Sequence, residues 1–128
     1  MATTRSRRGD RPPSQRRDVG LTVPRWVKAE LLDAAAALDR SAGEWVLAAA
    51  EEYGRALHDA LAEVEVRRRP RVDDATFTAL ELTPDERDAL DDQAVACGLN
   101  RSAFVTSVSR LALGEELDAV VAPLVEPG

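Results

Sequence analysis

Sliding the sequence along itself by 59 positions brings two amphipathic segments into register without a gap. Leu21 falls on Leu80, Val23 on Leu82, Leu31 on Leu90, Ala35 on Ala94, Trp45 on Phe104 and Val46 on Val105. In the first copy Val19, Leu21 and Val23 alternate with Asp18, Gly20 and Thr22, the period-two pattern of a short strand with one apolar face. From Pro24 the period becomes helical through Val27, Leu31, Ala34, Ala35 and Leu38. Ser41 to Glu44 then reads as a capping box that opens a second helix striped by Trp45, Val46, Ala49, Tyr53 and Leu57, running toward Val66. The second copy repeats the order. Thr78, Leu80 and Leu82 alternate with Phe77, Ala79 and Glu81, Thr83 and Glu86 form another cap, and Leu90, Ala94 and Cys97 stripe a helix that Gly98 ends. Asn100 to Ser102 open a last helix with Phe104, Val105, Val108, Leu111 and Ala112 facing inward.

A unit of about 40 residues with one strand and two helices cannot bury a core, and its strand has two unpaired edges. Two units solve both problems if their strands pair antiparallel over four helices. The expected fold class is therefore mainly α with a two-stranded antiparallel ribbon, two repeats in one chain forming a pseudo-dimer. Composition agrees with one helix-rich domain: 128 residues, 45 % hydrophobic, 31 % charged and only 4 % aromatic. The expected boundaries are a disordered basic arm at 1–17, the first repeat at 18–66, a basic linker at 67–76, the second repeat at 77–114 and a C-terminal tail at 115–128.

The net charge of −6 is segregated. Residues 1–20 hold six arginines against two aspartates, and Arg67, Arg68, Arg69 and Arg71 form a second basic cluster, whereas the rest of the chain is acidic. Arm and linker are thus the segments suited to a polyanion such as nucleic acid. One cysteine and one histidine cannot build a typical zinc site, and neither Cys97 nor His58 has a companion motif for catalysis. Cys97 reads as core packing, His58 as a solvated helical side chain, and the run Asp85, Glu86, Asp88, Asp91, Asp92 as a solvated face without calcium-loop spacing. Trp26 is open to two readings, exposed or packed on the tail. The expectation is a non-enzyme without cofactors or metal. With no apolar run of membrane-spanning length and no secretory leader pattern, it is also expected to be cytoplasmic and free of membrane partners.

LTVP followed by a helix, then DRSAGEWV and a second helix, resembles the ribbon-helix-helix fold of the MetJ/Arc superfamily. LELTPDERDAL with GLNRSAFVTSV is similar to the same pattern. The resemblance covers about residues 18–57 and 77–113. It implies a sequence-specific protein for double-stranded DNA, a transcriptional regulator that inserts its β-ribbon into the major groove. The outward ribbon residues would be Asp18, Gly20 and Thr22 with Phe77, Ala79 and Glu81. Phosphate would be held at Ala42, Gly43 and Glu44 and at Arg101, Ser102 and Ala103. Arg16, Arg17, Arg67, Arg68 and Arg69 join this set as basic contacts. Thr22 is the one conventional base reader on the ribbon, and Glu81 repels phosphate. Members with two copies in one chain include relaxosome accessory proteins of conjugative plasmids, so an accessory or partition factor of a plasmid or mobile element is one alternative. Antitoxins that repress their own operon supply the other: an antitoxin-like module that holds a basic protein partner through acidic faces and the apolar tail Leu117, Val120, Val121, Leu124 and Val125. Self-association on adjacent DNA sites is a further expectation.

Overall fold

The computed structural model describes residues 15–67 and 70–126. Strand β1 (Arg17–Pro24) leads into α1 (Arg25–Ala37) and α2 (Ala42–Leu61), and β2 (Ala75–Leu82) leads into α3 (Pro84–Ala96) and α4 (Arg101–Ala112). A short α5 (Leu117–Val121) and a 3-10 turn (Ala122–Leu124) follow. The molecule is thus mostly helical with one two-stranded antiparallel sheet, in which β1 and β2 of the same chain pair over their full length. Arg17 faces Leu82, Asp18 faces Glu81, Gly20 faces Ala79 and Thr22 faces Phe77.

Local chemistry sets the helix ends. Ser41 and Thr83 each accept a hydrogen bond from the backbone N–H of the glutamate three residues on, and Glu44 and Glu86 reach back to the capping residue's own N–H. Asn100 caps α4 through Ala103. Helices α1 and α3 close alike: Arg40 N–H donates to Ala35 O and Leu99 N–H to Ala94 O, around positive φ at Asp39 (57°) and Gly98 (78°). The closing positions Ala35 and Ala94, Asp39 and Gly98, and Arg40 and Leu99, like the caps Ser41 and Asn100, differ by the 59 residues of the sequence offset.

The alternating burial of the two strands divides the ribbon into faces. Val19, Leu21, Val23, Thr78, Leu80 and Leu82 are buried, and beneath them lie Val27 and Leu31 of α1, Leu90 and Ala94 of α3, and the facing stripes of α2 and α4. Trp45 and Phe104 are both in this core, as their matching positions predict. Cys97 is buried, and burial pushes its thiol pKa up.

Four features differ from expectation. The ribbon starts earlier, at Arg17 and at Ala75, so Arg17 belongs to a strand rather than to the arm and the linker is shorter. Helix α2 stops at Leu61 instead of reaching Val66, which instead bridges Val125. Leu38 is exposed, because it caps α1 outside its apolar stripe. Finally, the tail is not a free apolar surface. Val120 and Leu124 are buried in the core, Arg67 N–H donates to Leu124 O, and Glu126 N–H donates to Glu65 O.

Candidate nucleic-acid interface

The opposite face of the ribbon is open. Asp18, Gly20, Thr22, Phe77, Ala79 and Glu81, all six of the expected outward positions, are exposed. The register sorts them by end rather than by strand. Asp18 and Glu81 are cross-strand neighbours at one end, Thr22 and Phe77 at the other, with Gly20 and Ala79 between. Two carboxylates directly opposite each other repel, so the first end is an acceptor-only, negative patch. At the centre the Phe77 ring lies over Gly20, where an added Cβ would stand 2.8 Å from its Cε1. Phe77 remains 63 % exposed, which leaves a large apolar surface beside the Thr22 hydroxyl.

In a two-stranded sheet both outer edges carry unpaired N–H and C=O groups, and here side chains from α1, from α4 and from the residue before β1 reach them. Arg101 Nη1 donates to Gly20 O (3.2 Å), Lys28 Nζ to Phe77 O (3.0 Å) and Arg16 Nη1 to Glu81 O (3.5 Å). Thr22 N–H donates to Ser102 Oγ at 2.9 Å. Three cations therefore line the rim of a face whose own charges are negative. Two of them are shared with carboxylates. Arg16 contacts Glu86 at 2.7 Å, and Arg101 makes a two-pronged pair with Asp91 at 2.8 and 2.7 Å. That pairing holds the Asp91 carboxyl below the usual range and raises the guanidinium. Lys28, the chain's one lysine, escaped the sequence reading because nothing in a helical pattern marks which polar residue will reach a strand edge.

The two helix N-termini flank the ribbon but differ. Gly43 is buried, and a Cβ there would come within 2.7 Å of the Glu81 carbonyl oxygen, so α2 meets the strand backbone directly. Glu44 occupies the adjoining cap, where the hydrogen bond from the Ser41 backbone lowers its pKa. This N-terminus holds a carboxylate of its own, through the capping box of Ser41 and Glu44. At α4 the first turn contains no acid, and Ser102 and Arg101 are half-buried at the ribbon edge. Arg67 is tied to the tail by its backbone and stands 3.7 Å from Glu126. Arg68 and Arg69, like residues 1–14 of the arm, lie outside the described residues. Among the described residues no helix is long and apolar enough to cross a membrane. No family model, no curated protein and no solved structure matches the chain.

Proposed function

We propose that this chain is a tandem ribbon-helix-helix protein that binds double-stranded DNA with the exposed face of its ribbon and acts as a transcriptional regulator or a DNA-organising factor of a mobile element. One observation carries the reading: the strand register obeys the sequence repeat. A shift of 59 residues equates Gly20 with Ala79, which face each other, and it interchanges the pairs Asp18–Glu81 and Thr22–Phe77. That is the pairing expected of two equivalent units related by a local two-fold axis through the ribbon centre, one chain doing the work of a dimer. A two-stranded ribbon fits a major groove about 12 Å wide, with its outward side chains at base edges.

The chemistry of the face defines what it would read. Thr22 offers a hydroxyl and Phe77 an apolar surface for a thymine methyl, whereas Asp18 and Glu81 accept only, which suits the amino groups of cytosine or adenine and no phosphate. Affinity then depends on the basic arm. In mobility shifts against duplex DNA at about 50 and 200 mM salt, binding should weaken steeply with salt, and deletion of residues 1–14, which leaves Arg16 and the strand intact, should flatten that slope. An unchanged slope removes the arm from the mechanism, and no shift at the lower salt removes the DNA reading.

The carboxylate pair Asp18–Glu81 favours a second reading, capture of a basic protein by the same face. Its apolar tail is unavailable for that task, since Val120 and Leu124 are spent on the chain's own core. Glu81→Lys separates the two: it should tighten binding to random DNA in the first reading and abolish capture of the protein partner in the second.

A further inference from the structure

A cavity of about 260 Å³ lies against α4, where four separate stretches of chain converge. Pro24 and Trp26 form one wall, the returning segment Pro70–Asp73 a second, and Val120, Pro123 and Leu124 of the tail a third. Ala103, Thr106, Ser107 and Arg110 of α4 provide the floor. The repeat has no such cavity-lining chemistry in its first copy. At the positions 59 residues earlier α2 carries Leu47, Ala48 and Glu51, where α4 carries Thr106, Ser107 and Arg110.

Three features point to a ligand rather than to a packing defect. The Thr106 hydroxyl oxygen is buried and has no hydrogen-bond partner, although buried hydroxyls are nearly always paired. Trp26 is 45 % exposed and borders the cavity, so a large aromatic face is left without full cover. The charge balance of the lining is positive. Arg110 is already committed to Glu115 through two hydrogen bonds of 2.9 and 2.7 Å, but among the described residues Arg71 meets only Asp73, at 4.0 Å, with both side chains more than nine-tenths exposed.

We infer that this cavity binds a small aromatic carboxylate, its ring against Trp26 and the prolines, its acid group at Arg71 and a hydrogen bond from Thr106. The volume falls just below the roughly 300–1,000 Å³ of drug-sized pockets, so the ligand is a one- or two-ring molecule. The inference stands apart from the DNA reading, and its test uses no DNA.

The probe is 1-naphthoate, titrated into the ¹⁵N-labelled full chain while the indole N–H signals of Trp26 and Trp45 are followed and assigned with Trp45→Phe. A saturable shift of Trp26, with Trp45 unmoved and half-saturation below about 1 mM, is expected. Arg71→Glu should weaken the carboxylate about five-fold or more and leave the uncharged 1-naphthamide unchanged, and Thr106→Val should weaken both about five-fold. Absence of a saturable Trp26 shift overturns the site. Equal binding of carboxylate and amide, or indifference to Arg71→Glu, overturns the ligand class.

Discussion

At the scale of single residues, two exposed-strand and helix glycines illustrate how position decides a cost. A methyl at Gly43 would meet backbone, the Glu81 carbonyl oxygen at 2.7 Å, and neither partner can move without disturbing helix and ribbon together. Gly43→Ala is expected to destabilise by about 1–3 kcal/mol in urea unfolding. A methyl at Gly20 meets only the Phe77 ring, which is exposed and can swing aside, so Gly20→Ala should change stability by less than about 0.5 kcal/mol. Acid sensitivity also belongs to this scale. Arg101 and Arg110 hold the carboxyls of Asp91 and Glu115 below their ordinary values of 3.8 and 4.5. A carboxylate with a lowered folded pKa stabilises the fold above its unfolded value, and the contribution disappears as pH falls through the lowered one. Urea midpoints should therefore drop on acidification below about pH 4.5, and Asp91→Asn should shrink that drop while costing stability at neutral pH. Equal acid dependence of variant and parent would contradict the assigned cause.

At the scale of elements, the helix ends were the most legible part of the sequence, because a cap is local chemistry. Ser41 with Glu44, Thr83 with Glu86, and Asn100 all act where their spacing placed them. Thr83→Ala should cost about 1 kcal/mol by circular-dichroism melting or urea titration. Glu86→Ala should cost more, since Glu86 Oε1 accepts from both Thr83 N–H and Arg16. The alternating faces of both strands were legible for the same reason: a period of two leaves one assignment of inside and outside. What stayed hidden depends on contacts between distant segments. Asp39 in a left-handed conformation could be inferred only by matching it to Gly98, and the docking of Val120 and Leu124 requires knowing that the tail returns to the segment after α2. The cations at the ribbon edges were partly visible, Arg16 and Arg101 as charges near the face, Lys28 not at all. Their geometry with the strand carbonyls is tertiary and leaves no periodic mark.

At the scale of the whole molecule, pairing of β1 with β2 inside one chain gives a complete ribbon without a second subunit, and this permits something a symmetric dimer cannot do. The two ends of the face carry different chemistry, acceptors at Asp18 and Glu81, a hydroxyl and a ring at Thr22 and Phe77. The proposed DNA site is accordingly asymmetric within one ribbon's footprint. The decisive measurement is selection of bound sequences from a pool of random duplexes, run on the full chain, on Thr22→Ala and on Asp18→Asn. The account predicts an enriched, non-palindromic motif in which Thr22→Ala relaxes preference at one end and Asp18→Asn at the other, each by about 1–3 kcal/mol of base discrimination. No enrichment at all, or a palindrome that both substitutions blur at both ends alike, would contradict it.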